Sequence, residues 1–268
     1  MKMTCPSFNL VAEVKASGPI RTSLFEREVR MWGRLKGPSP RHPDMVEACR
    51  ADDSDGCREI LANGWLSEAQ LHRAAERYRL GKSRSGKTIF WLIDECGIVR
   101  DGHIGSSWVS LMLQRRYPDL AEYIHPEHCL FGLHLLATDY TDHHRRNDSH
   151  RFLYKSQYQC KSVKSVAIIE SERSAVILSE LYPNYLWMAI ASPIGFTIDW
   201  LAPLKGRKII LFPNTDETMS NFVAWLELAD QARSLYHLEI SVSHILEDHT
   251  TLEQKQRKID LVDFLFCH

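Results

Sequence analysis

The sequence predicts an α/β fold with a mostly parallel sheet flanked by helices, preceded by a smaller α+β N-terminal region. From residue 165 onward, short β-branched and apolar runs alternate with helical patterns, which is typical of strand–helix–strand units. Between residues 64 and 164, a helical pattern leads into two strand-like runs joined by a turn. The 268 residues are enough for one large domain or two modest ones. We therefore expect an N-terminal region at 1–63, an α+β subdomain at 64–164 and the main α/β domain at 165–268.

The first two regions contain few clear elements. Residues 1–63 are interrupted by proline-rich and polar segments, and 43–49 is too short to assign as a helix. Residues 67–80 predict a helix, because Ser67 is a good N-cap and apolar residues recur at helical spacing. Residues 88–93 are rich in β-branched and aromatic side chains and predict the first strand of a hairpin. A helix at 108–114 and an exposed His- and Arg-rich loop at 141–151 complete this part.

The predicted strands and helices of the main domain are clearer in the sequence. Strands are predicted at 166–169, 186–190, 208–212 and 238–242, and helices at 172–180, 217–234 and 260–265. In a parallel sheet of this kind the functional residues follow the carboxyl ends of the strands. The search for a site therefore concentrates on the residues that end each strand.

Composition limits the possible function classes. The net charge is −1, so any nucleic-acid contact must come from local basic patches. No apolar run is long enough for a membrane span, and the first residues do not resemble a signal peptide. We therefore expect a cytoplasmic protein with no membrane partner. The seven cysteines are scattered and never spaced C-x-x-C, which favours reduced thiols.

Histidines and a cysteine near residue 128 form the closest approach to a metal-binding pattern. His125, His128 and Cys129 are followed by His134, His143 and His144. A zinc site needs convergent ligands at suitable spacing, and this spacing matches no such arrangement. We interpret these histidines as structural or surface residues in preference to zinc ligands.

Residues 81–88, GKSRSGKT, match the phosphate-binding loop pattern G-x-x-x-x-G-K-[ST] letter for letter. That motif works only between a preceding strand and a following helix, whose N-terminus cradles the phosphates. Here a helix is predicted before the motif, and the β-forming residues from Thr88 predict a strand after it. We therefore reject a P-loop and expect a charged loop that enters a hairpin. A P-loop ATPase stays a distant alternative.

Acidic residues follow the predicted strands at three places. Glu170 ends the strand at 166–169, Asn214 and Asp216 follow the strand at 208–212, and Asp260 and Asp263 begin the last helix. Mg²⁺ is commonly held by a few carboxylates together with substrate phosphates. Each residue also has an ordinary structural explanation, because acids are favoured at helix N-termini. Both interpretations stay open from the residues alone.

Several segments of the chain resemble a known family. The segments AIIESERSAVI (167–177), LKGRKIILFPN (204–214) and QRKIDLVDFL (256–265), with 80–104 and 128–136, are similar to Toprim-like proteins of Bacteroidetes mobile elements. The Toprim fold, which is Rossmann-like, is shared by bacterial primases, type IA and type II topoisomerases and OLD-type nucleases. Its marks are a Glu after one strand, D-x-D after another and a late pair of aspartates. The resemblance covers residues 64–268.

The resemblance implies a function and a set of site residues. It implies Mg²⁺ or Mn²⁺ as cofactor, Glu170 as catalytic acid or base, and Asn214, Asp216, Asp260 and Asp263 as metal ligands. It also implies nucleic acid as partner, DNA in preference to RNA, and a helicase or other replication protein as a further partner. The basic residues expected to contact nucleic acid are Lys82, Arg84, Lys87, Lys205, Arg207 and Lys208.

One position departs from the family pattern. Asn214 stands where the family has aspartate, and an amide oxygen brings no charge to a metal site. Two functions therefore compete. The first is Mg²⁺-dependent nucleotidyl transfer or phosphodiester cleavage of primase-like type, linked to mobile-element DNA metabolism. The second is a weakened Toprim module that binds nucleic acid or a replication partner without turnover.

Overall fold

A computed structural model of the protein describes residues 43–124, 126–137, 164–191 and 196–266. These residues form two four-stranded sheets with helices packed around them. Most of the region 1–63, the loop predicted at 141–151, and His125, His143 and His144 lie outside the described residues. Within the described part of the chain, no helix is long and apolar enough to cross a membrane.

Three helices precede the first sheet: α1 (Pro43–Cys49), α2 (Asp55–Ala62) and α3 (Glu68–Tyr78). Ser67 and Gln70 form a capping box at the start of α3, in which the Ser67 hydroxyl accepts from the Gln70 N–H, so the predicted N-cap is confirmed. The sequence did not predict α1 or α2. Burial of Cys57 and Ile60 stabilises α2, and a short helix depends on such packing more than on its own propensity.

The first sheet is antiparallel and contains β1 (Gly81–Lys82), β2 (Thr88–Ile93), β3 (Val99–Ile104) and β4 (Ser107–Trp108), in that order. Thr88 begins a strand that pairs with Lys82, and the Ser83 N–H donates to the Lys87 carbonyl at 2.8 Å. Residues 81–88 are therefore a hairpin, and the rejection of a P-loop is confirmed. Helix α4 (Val109–Arg116) and a 3₁₀ helix (Pro118–Tyr123) follow.

The second sheet is parallel, with its strands in the order β6–β5–β7–β8. Its elements are, in chain order, β5 (Ser165–Ile169), α5 (Glu172–Leu181), β6 (Tyr185–Ala189), a 3₁₀ helix (Ile198–Leu204), β7 (Lys208–Phe212), α6 (Ser220–Tyr236), β8 (Glu239–Val242), α7 (Ile245–His249), α8 (Leu252–Gln256) and α9 (Leu261–Phe266). The predicted parallel α/β architecture is confirmed.

The order of these strands creates a topological switch point. The chain leaves β5 for β6 on one side, then returns to β7 on the other side of β5. Ile169 pairs in register with Phe212, so the loops that follow β5 and β7 diverge from neighbouring strand ends. Ligands of open α/β sheets bind in the crevice at such a point.

One continuous apolar cluster connects the two sheets. Tyr78 of α3 is fully buried, stacks on Phe131 at 5.0 Å between ring centroids and donates its hydroxyl to the Trp187 carbonyl at 2.7 Å. Phe131 in turn forms a backbone bridge with Ala189 of β6. The segment 126–137, which belongs to the predicted subdomain, thus packs against both α3 and β6.

Candidate functional site

Glu170 lies at the switch point, immediately after β5. Ser171 is the N-cap of α5, and its hydroxyl accepts from the Ser174 N–H, so Glu170 stands outside the helix. The Glu170 Oε1 accepts hydrogen bonds from the Asn214 N–H at 3.0 Å and from the Asn221 side-chain amide at 2.6 Å. The carboxylate therefore joins the ends of β5 and β7.

Asn214 and Asn221 form the other side of this junction. The Asn221 amide donates a second hydrogen bond, at 2.8 Å, to the Asn214 carbonyl. The side-chain oxygen Oδ1 of Asn214 is buried and has no hydrogen-bond partner among the described residues. A buried acceptor without a partner is unfavourable by about 1–3 kcal/mol. Asn214 thus presents an unsatisfied oxygen beside Glu170.

Asp216 is held by the turn that begins α6. Its carboxylate accepts from the N–H groups of Thr218, Ser220 and Asn221 at 2.8, 3.1 and 2.7 Å, and from the hydroxyls of Thr218 and Ser220. Partial burial alone would raise the pKa of Asp216, but these hydrogen bonds hold it far below its usual range. The sequence offered a structural explanation for Asp216, an acid favoured at the start of a helix. The hydrogen bonds of Asp216 agree with that explanation.

Asp260 has a similar role at the start of α9. Its Oδ1 accepts from the N–H groups of Val262 and Asp263 at 2.8 and 2.9 Å, and its Oδ2 accepts from the Ser174 hydroxyl of α5. Burial raises the pKa of Asp260. Asp263 accepts from the Asp260 N–H at 3.3 Å. These contacts cap α9 and attach it to the helix that follows Glu170.

The Asp260 segment lies beside the loop after β7, because the Thr215 N–H donates to the Ile259 carbonyl at 3.2 Å. The fold thus brings all five predicted site acids and amides to one edge of the parallel sheet. Within the described ranges, no group of three or more His, Cys, Asp and Glu side chains is arranged to hold a metal ion.

The residues at this edge fit Mg²⁺ only as part of a larger ligand set. Both oxygens of Asp216 and of Asp260 already accept hydrogen bonds. Three side-chain oxygens of the site have no hydrogen bond among the described residues: Oδ1 of Asn214, Oε2 of Glu170 and Oδ1 of Asp263. Mg²⁺ keeps several waters and often takes only one or two protein oxygens plus ligand phosphates. The donor set therefore suits an ion that arrives with a phosphate-bearing ligand.

Residues 147–215 match the model of a domain of unknown function (DUF6371). The match covers less than half of the chain and contains β5, α5, β6 and β7, including Glu170 and Asn214. No curated protein and no solved structure matches the chain. The match therefore includes the switch point, and the description of the matching family assigns it no activity.

The basic residues predicted to contact nucleic acid fall into two separate groups. Lys205 and Lys208 are exposed at the amino end of β7, and Arg207 is buried and donates to the Lys164 carbonyl at 3.0 Å. They are separated from the switch point by the length of a five-residue strand, about 16 Å. The other three, Lys82, Arg84 and Lys87, belong to the β1–β2 hairpin.

The histidines near residue 128 have structural partners. His128 stacks on Trp108 at 3.9 Å between ring centroids and lies 3.3 Å from the buried Asp101 carboxylate. The His134 Nε2–H donates to the Arg77 carbonyl at 3.1 Å, and burial lowers the pKa of His134 to about 4. Cys129 is buried, which raises the pKa of its thiol. These contacts agree with the structural interpretation of the histidines.

Sequence reasoning missed two features of this region. Asn221, which bridges Glu170 and Asn214, lies inside a predicted helix and carries no motif. His103 and Glu172 are paired at 2.5 Å across 69 residues of sequence. Burial alone would lower the pKa of His103, but the Glu172 carboxylate raises it above its usual value. Pairs so distant in sequence leave no local signal by which a single sequence could reveal them.

Proposed function

We propose that this chain is a Mg²⁺-dependent, primase-like Toprim-type protein that transfers nucleotides or cleaves phosphodiester bonds in DNA. The observation that supports the proposal is the position of Glu170 directly across the switch point from Asn214 and Asp216. The resemblance of the surrounding segments to Toprim-like proteins of mobile elements supplies the reaction class. A helicase or other replication protein as partner, and a cytoplasmic setting, belong to the same proposal.

The proposal gives each site residue a role. Glu170 is the candidate general acid or base, because it lies at the switch point and its Oε2, which accepts no hydrogen bond among the described residues, can exchange a proton with a ligand. Asn214 offers its unsatisfied Oδ1 to the metal. Asp216 orders the loop after β7 and adds negative charge beside the metal. Bound Mg²⁺ would neutralise charge on a phosphoryl group during attack.

A second function is supported by particular contacts. Asp216 and Asp260 are both engaged in helix caps, and Asn214 is neutral where the Toprim pattern has a carboxylate. These features lower the charge available to a dication. They favour a module that binds nucleic acid at the same edge without turnover.

Metal-dependent melting of Asn214→Asp tests the site. The new carboxylate would lie beside Glu170, so like-charge repulsion should lower the melting temperature in chelator. Millimolar Mg²⁺ or Mn²⁺ should then raise the melting temperature of the variant more than that of the wild type, because a ligand that binds the native state stabilises it. Asn184→Asp, exposed at the opposite edge of the sheet, adds the same charge and should show no extra response. An equal response of all three proteins would overturn the metal site.

Activity assays separate the two functions. Wild type and Asn214→Asp are incubated with single-stranded DNA, nucleoside triphosphates and Mg²⁺, and the products are scored for both cleavage and primer synthesis. Metal-dependent product that disappears in Glu170→Gln supports the enzyme. Metal-dependent DNA binding without product in either protein supports the binding module.

A further inference from the structure

A cavity of about 370 Å³ lies between the first sheet and the start of α5, one residue away from Glu170 along the chain. It is bounded by the start of α2, by the hairpin of β2 and β3 and by the start of α5. The lining residues are Asp55, Gly56, Glu59, Lys87, Thr88, Phe90, His103, Gly105, Ser171, Glu172 and Arg173. Small-molecule sites occupy about 300–1,000 Å³, so the cavity has room for one small ligand and not for a duplex.

The acids that line this cavity all have hydrogen-bond or ion-pair partners within the protein. Asp55 accepts from the Thr88 N–H at 2.8 Å and from the Gly56 N–H at 2.7 Å. Glu59 pairs with Arg173 at 2.6 Å, and Glu172 pairs with His103. Glu59 and Glu172 therefore have ion-pair partners, and the Asp55 carboxylate is held by N–H and hydroxyl donors of the protein.

Lys87 is a cation of the cavity with no ion-pair partner among the described residues. It is exposed, and no hydrogen bond or ion pair of its ammonium group is found within the described residues. Its Nζ would lie 3.5 Å from a Cβ placed on Gly105, so the ammonium group stands over the glycine turn at the mouth of the cavity. This ammonium group is free to contact an anion, because the acids of the cavity are engaged by other groups of the protein.

An aromatic side chain and a helix start complete the surface. Phe90 lines the cavity and is half-buried, with its ring packed edge-on against Phe131 at 5.6 Å. Ser171, Glu172 and Arg173 belong to the cap and first turn of α5. A nucleobase or sugar gains contact area from an aromatic ring. The positive end of the helix dipole at the first turn of a helix attracts a phosphate.

We propose that this cavity binds the 5′-monophosphate of a single nucleotide, with Lys87 as the main phosphate contact and Phe90 beside the nucleoside. The proposal rests on the proposed function for its class of ligand, but it requires neither the metal nor Glu170. The nucleotide has two possible sources, a free nucleoside monophosphate and the phosphorylated 5′ end of a strand. The hairpin that imitates a P-loop sequence would thus contact phosphate through Lys87, without the nest of backbone N–H groups that a P-loop uses.

The test is isothermal titration calorimetry of the full chain in chelator, which removes any metal-dependent binding. The ligands are deoxyadenosine 5′-monophosphate, deoxyadenosine, inorganic phosphate, and a short oligonucleotide with either a 5′-phosphate or a 5′-hydroxyl. The monophosphate should bind at least about tenfold more tightly than deoxyadenosine or inorganic phosphate. A preference of the same size for the 5′-phosphorylated oligonucleotide assigns the strand end, and its absence assigns the free nucleotide.

Variants locate the binding. Lys87→Ala should weaken the binding of the monophosphate about tenfold or more, and Lys87→Arg should keep most of the wild-type affinity. Lys164→Ala, an exposed lysine at the amino end of β5, is the matched control and should bind like wild type. Glu170→Gln should also bind like wild type, so failure of the metal site leaves this result unchanged. Equal binding of deoxyadenosine and its monophosphate, or unchanged binding by Lys87→Ala, would overturn the proposal.

Discussion

Both carboxylate oxygens of Asp216 accept hydrogen bonds from N–H and hydroxyl groups of Thr218 and of the first two residues of α6. A metal ligand and a helix-start anchor require the same residue type at the same place, a carboxylate after a strand and before a helix. The sequence could therefore place Asp216 at the functional edge without deciding between the two roles. Glu170 differs, because α5 begins only after the Ser171 cap.

Replacing Asp216 should weaken the fold through the loss of these hydrogen bonds. We expect Asp216→Ala to lower the free energy of unfolding by about 1–3 kcal/mol at pH 7, measured by urea denaturation. The lowered pKa means that this stabilisation is present above the unfolded value of 3.8 and is lost as the pH falls toward the folded value. The difference from wild type should therefore shrink in acid. Glu217→Ala, an exposed neighbour, should have little effect, and equal losses in the two variants would contradict the role of Asp216.

His134 should make the protein less stable in mild acid. Its folded pKa of about 4 lies below the unfolded value of 6.5, so the unfolded state binds the proton first as the pH falls. Stability should therefore decrease between pH 6.5 and 4, by about 3 kcal/mol. His134→Gln, which can still donate to the Arg77 carbonyl, should flatten this dependence. The free energy of unfolding measured across this pH range tests the prediction, with exposed His249→Gln as control. Parallel pH curves for wild type and His134→Gln would show that His134 does not cause the loss of stability.

At the level of elements, length and burial decided what could be predicted. The strand Lys208–Phe212 and the helix starting at Glu172 were predicted with the right boundaries or nearly so, because their apolar patterns are strong. The helix predicted from 217 begins at Ser220, since Asp216 and its partners form a turn first. Helices α1, α2, α7 and α8, of five to eight residues, were not predicted, and the two-residue strands β1 and β4 exist only through their pairing partners.

Some features of the candidate site could be predicted from the sequence, and others depend on side-chain packing. The shared edge of Glu170 and Asn214 followed from strand ends in a parallel sheet, which is a rule of topology. The bridge by Asn221 and the His103–Glu172 pair depend on side-chain placement across distant segments, and no local pattern encodes that. Lys87 was predicted to contact nucleic acid, but the cavity beside it requires α2 and α5 to be in place.

The segment that joins the two sheets should be sensitive at Gly132. This glycine has φ 84°, and a Cβ there would lie 3.0 Å from the Tyr78 ring and 3.1 Å from the Trp187 carbonyl oxygen. We expect Gly132→Ala to lower the free energy of unfolding by about 2–4 kcal/mol, from backbone strain and overpacking together. Gly97→Ala has a similar φ of 82° but nothing within 4 Å, so it isolates the backbone contribution. Chemical denaturation of both variants compares them, and a Gly97 effect as large as that of Gly132 would contradict the packing argument.

Across the whole molecule, charged and polar pairs reinforce the shared apolar cluster. Arg73 and Arg77 of α3 both contact Glu180 of α5, at 2.7 and 2.8 Å. Arg173 of α5 pairs with Glu59 of α2 at 2.6 Å. Because α5 follows Glu170 directly, these contacts connect the position of the candidate catalytic carboxylate to the helices before the first sheet. The domain boundary predicted at 164 therefore falls between segments that share one core.

This shared core leads to the expectation that the two sheets unfold together. Native-state hydrogen exchange measures the opening free energy of amides in β2 and β5 separately. In wild type both sets should report the same global value. Tyr78→Ala removes a fully buried ring that donates to the Trp187 carbonyl of β6 and stacks on Phe131, which itself packs against Phe90 of β2. It should lower both values by about 3–5 kcal/mol, the usual cost of truncating a large buried aromatic side chain. Exposed His72→Ala on the same helix should lower neither by more than about 0.5 kcal/mol.

If the β5 amides keep their wild-type protection while the β2 amides lose theirs, residues 165–268 fold independently of the first sheet. The boundary at 164 would then separate two true domains, and the cavity between the first sheet and α5 would be a contact between domains that can part.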